Sequence, residues 1–161
     1  IITERFSNIG SKPKLEYIDL LKLIYNSIDY LKKRSSSKII FIVESTVKSV
    51  KVKINKELLG WAIENICKNS IDAVGEKGSI KIKVDSKKNK LLIDITDNGK
   101  GIEKNQFINI FNPGISSKKR GWGLGLSLTK RIIEEYHNGK IFVLKSIKGI
   151  ETTLRIILPK I

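Results

Sequence analysis

The chain has 161 residues, 40% of them hydrophobic and 29% charged, so one domain with its own core is expected and global disorder is excluded. No uncharged apolar stretch is long enough to span a bilayer, and no secretory signal opens the chain. The net charge of +15 is divided among separate groups such as Lys32-Lys33-Arg34, Lys87-Lys88 and Lys118-Lys119-Arg120. Few aromatics are interleaved with them, which argues against a nucleic-acid-binding stripe.

The chain begins at Ile1 and contains no methionine, so a segment of a longer protein is expected, any membrane anchor of which would lie elsewhere. Cys67 is the single cysteine; it excludes an internal disulfide and fits a reducing compartment. Residues 1–13 read as the tail of a preceding element. Gly10-Ser11-Lys12-Pro13 closes it, because proline disfavours helix at the residue before it. The domain proper is placed at 14–161. Asp19 is positioned to cap a helix through about Lys33, with Leu20, Leu23, Ile24, Ile28 and Leu31 on one face. Strands are predicted at Ile39–Val43 and Val50–Ile54.

Asn55 is a cap candidate for a long helix to about Val74, ended by Gly75 and Gly78. Strands follow at Ser79–Asp85 and Lys90–Thr96, then a glycine-bearing loop over Asp97–Gly101 and a short helix from about Glu103 to Ile110. Residues 112–122 have loop composition. A helix from about Leu124 to Tyr136 should stop at Asn138-Gly139, and strands at 140–146 and 151–158 close the chain. This order predicts an α+β fold: a two-layer sandwich with a mixed, mostly antiparallel sheet and helices on one face. The glycine loops lack the lysine-serine or lysine-threonine ending of a P-loop, so the commonest ATP-binding fold is excluded.

Three groups of residues carry chemistry. Asn65, Asn69 and Asp72 are spaced by four and three and share one helical face. Such a stripe is either solvated or a source of hard oxygen ligands suited to magnesium and its waters. Asp97-Asn98-Gly99-Lys100-Gly101 follows an apolar strand. It is either an ordinary turn or a loop whose carboxylate accepts a hydrogen bond from an exocyclic amine such as that of adenine. Gly121-Trp122-Gly123-Leu124-Gly125-Leu126 runs into a helix, where glycines let phosphate oxygens reach free backbone N–H groups.

In combination, these groups resemble the ATPase domain shared by histidine kinases, type II topoisomerases, the Hsp90 chaperone and the MutL mismatch-repair protein, over roughly residues 38–160. Within that group the pattern is most similar to sensor histidine kinases of the nitrogen-regulation type. Asn65-Ile-Cys-Lys-Asn69-Ser-Ile-Asp72-Ala73 looks like their asparagine box. Ile110-Phe111-Asn112-Pro113-Gly114 with Ser116-Ser117-Lys118 resembles their phenylalanine box and lid. Gly121-x-Gly123-Leu-Gly125-Leu resembles the second glycine box, and His137-Asn138-Gly139 stands where many members have histidine and two glycines. Trp122 departs from the pattern, which usually has a smaller residue there.

The resemblance implies a Bergerat-type fold binding ATP and Mg2+. Asp97 would take the adenine amino group, with Gly99, Gly101, Ile102 and Phe111 shaping the pocket. Asn69 would coordinate magnesium, and Asn65 would support metal and phosphates. Gly121, Gly123, Leu124, Gly125 and Leu126 would meet the phosphates, Lys118 and Arg120 would approach them from the lid, and Asp72 would stand at the pocket edge. Hydrolases of this superfamily carry a water-activating glutamate four residues before the metal-binding asparagine. Here that position is Asn65, which cannot act as a base; Glu64 is turned away by about 100°. Transfer to a protein is therefore favoured over hydrolysis, with Asn65 and Lys118 as the catalytic pair that the resemblance implies.

The implied acceptor lies on a dimerisation helix pair, of whose end residues 1–13, with Arg5-Phe6-Ser7-Asn8, look like a remnant. The chain alone is then not expected to phosphorylate itself. The implied partners are ATP and ADP, the parent protein's dimerisation and phosphoacceptor domain, and a response regulator, with no nucleic acid. The implied location is cytoplasmic, in a homodimeric parent that is membrane-anchored or free. His137 is expected to be a helix C-terminal residue interacting with the dipole. The alternatives are a serine/threonine kinase of the anti-sigma-factor type and a nucleotide-sensing, partner-binding module with little turnover.

Overall fold

The computed structural model describes residues 12–114 and 125–160. In chain order the elements are β1 (Glu16–Asp19), α1 (Leu20–Lys32), β2 (Ile39–Ser45), β3 (Lys51–Ile54), α2 (Lys56–Val74), β4 (Gly78–Ser86) and β5 (Lys90–Asp97). Two 3-10 turns follow, Lys104–Gln106 and Asn109–Phe111. Next come α3 (Gly125–Arg131), a π turn over Ile132–Tyr136, β6 (Lys140–Ile147) and β7 (Glu151–Pro159). The main sheet has the order β2-β4-β5-β7-β6, with β2 parallel to β4 and the remaining pairs antiparallel. The helices pack on one face of it, as the α+β expectation requires. Among the described residues no helix is long and apolar enough to cross a membrane.

Capping explains where the two long helices start. Asp19 Oδ1 accepts from the N–H groups of Leu21 and Lys22 at 3.1 and 3.4 Å, and Asn55 Oδ1 accepts from Leu58 N–H at 2.9 Å. Each such cap is worth about 1 kcal/mol. Leu20, Leu23, Ile24, Ile28 and Leu31 are buried, as their spacing predicts. On α2 the buried side is Leu58, Leu59, Ala62, Ile63, Ile66, Cys67 and Ser70. Burying a large aliphatic side chain contributes about 1.5–3 kcal/mol, so these faces, rather than helix propensity, hold both helices on the sheet.

Strict alternation shows in β5, where Leu91, Ile93, Ile95 and Asp97 turn inward. Its other side is open, and there the register aligns Glu44, Lys83, Asp94 and Arg155 across four strands. Arg155 grips Asp94 through two hydrogen bonds of 2.7 and 2.8 Å. Opposite charges placed side by side are favourable neighbours on a sheet. The four charges cancel, so this row leaves the net charge of +15 to the rest of the chain.

Three sequence expectations are corrected, and one strand is additional to them: residues 16–19 pair antiparallel with β3 in a separate two-stranded sheet. The helix expected at Glu103–Ile110 is instead two 3-10 turns: neither has a capping side chain, and Gln106 and Phe107 N–H bond to carbonyls three residues back. Gly78 does not end α2 but opens β4. The last helix keeps α geometry only to Arg131 before widening, and its expected first residue, Leu124, lies outside the described residues.

His137 closes that π turn and is buried. Its Nδ1–H donates to Ile132 O at 2.8 Å, and its Nε2 accepts from Asn55 N–H at 3.0 Å. The expected contact with the helix end is present, but the ring is neutral. Burial pushes its pKa below 6.5, and the hydrogen bond to Ile132 only partly offsets this. The unfolded chain therefore binds a proton that the native state refuses, and stability contributed at neutral pH is lost as pH falls below about 6.5. Urea titrations of wild type and His137→Gln at about pH 7, 6 and 5 should show the difference between the two narrowing toward acid, because glutamine does not titrate.

Candidate functional site

The site is built where the last turns of α2 meet the loop after β5. Gly99 lies so close to α2 that a Cβ there would stand 2.4 Å from the Ala73 carbonyl carbon. Only glycine fits. Lys100 N–H then donates to Ala73 O at 3.0 Å, and Gly99 O accepts from Gly149 N–H at 2.8 Å. Asn98 Oδ1 accepts from Ser79 N–H at 2.9 Å. Gly101 adopts φ +79°, which reverses the chain beside Ser146 and Lys148. Ile102 N–H donates to Ser146 Oγ at 2.8 Å, and Ser146 Oγ shares a 2.8 Å bond with Thr152 Oγ1. The loop is thus fastened to α2, β4, β6 and the β6–β7 turn at once.

Asp97 sits at the head of this loop, 5% exposed and paired in register with buried Thr152. Gly99 N–H donates to its Oδ1 at 2.8 Å, and the Ser70 hydroxyl also bonds the carboxylate. Burial raises its pKa above the ordinary value, against the lowering effect of these two donors. A buried carboxylate whose donors among the described residues are a backbone amide and a hydroxyl retains capacity to accept another hydrogen bond.

Across from it, Asn65 and Asn69 are half-buried on α2, and Asp72 is exposed one turn on. Asn65 Nδ2 donates to Gly125 O at 3.3 Å, and Thr129 Oγ1 donates to the same carbonyl at 2.7 Å. The asparagine stripe is thereby joined to the first turn of α3, where Gly125 is exposed and Leu126 half-buried. Phe111 is buried, with the Lys130 ammonium 5.6 Å from its ring centre. Beneath the stripe, burial and nearby Glu64 push the Cys67 thiol up to about 12, which makes it inert at neutral pH.

The structure therefore brings together Asn65 with Gly125, and Asp97 with Gly99, Gly101 and Ile102. Lys118, Arg120, Gly121, Trp122, Gly123 and Leu124 lie outside the described residues. Ser70, Ser146, Thr152 and Thr129 support the site and went unnoticed in the sequence, because a hydroxyl residue in a helix or strand carries no spacing signal. Ser70 could have been found from its place beside Asn69 on the buried side of α2.

Residues 54–161 match the family described as the histidine kinase-, DNA gyrase B- and HSP90-like ATPases. The chain belongs to this family. It is similar to the sensor histidine kinase ZraS of Salmonella typhimurium, 33% identical over 151 residues that cover 91% of this chain and 32% of the relative. It thus spans about a third of the length of that relative. The fold is similar to the catalytic domain of histidine kinase ThkA, with a TM-score of 0.81, 26% identity, and coverage of 91% of this chain and 96% of that one. ThkA in complex with the response regulator TrrA aligns with 99% of this chain and 46% of that one, at a TM-score of 0.79 and 24% identity, a likeness of fold alone. The chain is a catalytic ATP-binding domain of the sensor histidine kinase kind.

The seating of Gly99 gives a direct test. Gly99→Ala must displace the loop or the end of α2, and should lower unfolding free energy by about 1–3 kcal/mol in urea titrations.

Proposed function

We propose that this chain binds Mg-ATP between α2, the Asp97–Gly101 loop and the start of α3. Within its parent protein it passes the γ-phosphate to a histidine on a dimerisation helix outside this sequence. The observation that carries the reading is Asp97, a carboxylate kept buried at a strand end with spare acceptor capacity. Burying it costs stability, and an adenine amino group is a donor that repays this on binding.

The other roles follow from chemistry and position. Asn69 offers an amide oxygen to the metal, with Asn65 beside it and Asp72 at the rim. Among the described residues no group of three His, Cys, Asp or Glu side chains converges. The donor set therefore fits magnesium held by few protein oxygens together with phosphates and water. When bound, that ion neutralises charge on the phosphates. Gly125 and Leu126 border the phosphates, and Gly121, Gly123, Leu124, Lys118 and Arg120 are assigned the remaining phosphate contacts by motif. Phe111, held by α3, closes the pocket side with Ile102.

Transfer rather than hydrolysis is supported by Asn65, an amide already engaged as a donor to Gly125 O. A response regulator is the proposed downstream partner, since the matched relatives are sensor kinases and ThkA was solved bound to one. The parent is proposed to be a cytoplasmic-facing homodimer of the nitrogen-regulation type, on the strength of its asparagine and phenylalanine boxes, with residues 1–13 as the end of its dimerisation helix and linker.

Calorimetric titration of Mg-ADP into wild type and Asp97→Asn tests the site. Loss of a charged hydrogen bond should weaken binding about ten- to a hundredfold. Stability without nucleotide should hold or rise at neutral pH, because a group whose folded pKa is raised loses stability as pH rises through that pKa, and asparagine escapes this. Wild type that binds no nucleotide would overturn the proposal. Phosphate-release assays should find no steady ATP hydrolysis that Glu64→Ala removes; such an activity would overturn the choice of transfer over hydrolysis.

A further inference from the structure

Helix α3 is fastened to α2 at its first residue and just beyond its last, the first contact falling at the middle of α2 and the second at its start. At the nucleotide end, Asn65 Nδ2 and Thr129 Oγ1 meet on Gly125 O. At the far end, His137 bridges Asn55 N–H and Ile132 O. Asn55 and Asn65 are separated by ten residues, or about 15 Å along the helix. The far fastening carries a third arm: Asn55 Nδ2 donates to Lys14 O at 3.1 Å, two residues before β1.

Asn55 thus uses its whole amide and its backbone at one junction. Its Oδ1 caps α2, its Nδ2 holds the incoming strand segment, and its N–H reaches the turn that ends α3. The tautomer is determined by geometry: Nε2 accepts from a backbone N–H, so the proton sits on Nδ1 and goes to Ile132 O. Gly139 N–H donates to Ile133 O at 2.8 Å and holds the following turn. A shift of Lys14 would therefore act on the first turn of α2 and, through one ring, on the last turn of α3. Across the gap between those helices Asn65 meets Gly125.

We propose that His137 is a positioning residue for the nucleotide site, and that with Asn55 it couples the chain arriving at Lys14 to the spacing of α2 and α3. This rests on the nucleotide-site reading above. The junction lies about 15 Å along α2 from Asn65 and acts by holding two helices in one arrangement, one physical way in which separate sites are coupled.

Two variants separate this role from simple structural support. His137→Asn keeps a short amide donor for Ile132 O and gives up the acceptor for Asn55 N–H. His137→Gln reaches that N–H with its amide oxygen and gives up the local bond. Mg-ADP affinity by calorimetry should fall about fivefold or more in His137→Asn, and return to within about twofold of wild type in His137→Gln. Without nucleotide, amide hydrogen exchange over residues 125–129 should be faster in His137→Asn only. Unchanged affinity and exchange in a folded His137→Asn, or equal losses in both variants, would overturn the coupling. If wild type binds no nucleotide, the site reading falls and exchange at residues 125–129 alone decides the coupling. If His137→Asn does not fold, Asn55→Asp decides. It keeps the cap but cannot donate to Lys14 O, so weaker ADP binding or faster exchange at residues 125–129 supports the junction, and neither changing overturns it.

Discussion

The contact of Gly99 with Ala73 is the constraint on which the site depends. A loop that follows a central strand would ordinarily project into solvent, but here it is drawn against the end of the longest helix, because residue 99 has no side chain to hold it off. That approach brings Lys100 N–H onto Ala73 O and sets Gly99 O against Gly149 N–H. Gly99 N–H can then turn back to Asp97. Each bond requires the others, so the position of the Asp97 carboxylate follows from helix packing rather than from the preferences of a turn. Adding one methyl group at residue 99 would disturb all of them together.

The same helix serves stability and chemistry on adjacent faces. Ile63, Ile66 and Cys67 are sealed into the core, and Asn65 and Asn69 ride just above them. The apolar side makes α2 a rigid platform, and the polar side lies at the edge of burial, where oxygen ligands remain reachable. Asp97 carries the opposite balance. Its burial works against the folded state, and Gly99 N–H and Ser70 reduce that cost. Sites that bind ligands commonly hold such a group where stability alone would place a neutral one.

Much of this was legible in the sequence because it rests on local rules. Asp19 and Asn55 announce their helices, the alternation of β5 announces its faces, and the chemistry-bearing glycines and asparagines lie within the stretch that matches the family. What was not legible depends on partners distant in sequence. Residues 16–19 become a strand only because β3 lies alongside. The segment after Glu103 has apolar residues enough for a helix but no cap, and its ends are tied by the loop before it and by α3 after it. Ser146 and Thr152 looked like ordinary strand residues until their hydroxyls met beneath Ile102. His137 was read from its own helix end, and its second partner, Asn55, is 82 residues away.

Asn65 joins these strands of argument. An amide can donate as well as accept, and its Nδ2 does so to Gly125 O. A glutamate at this position, the residue a hydrolase would use to activate water, is an acceptor when ionised and would face that carbonyl oxygen with no proton to offer. The first turn of α3 would then be held by Thr129 alone among these two donors. The asparagine therefore does more than omit a base: it fastens the first turn of α3 to α2. In this chain residue 65 can serve as that fastening only because it carries a donor, and a carboxylate placed there to activate water would give the donor up.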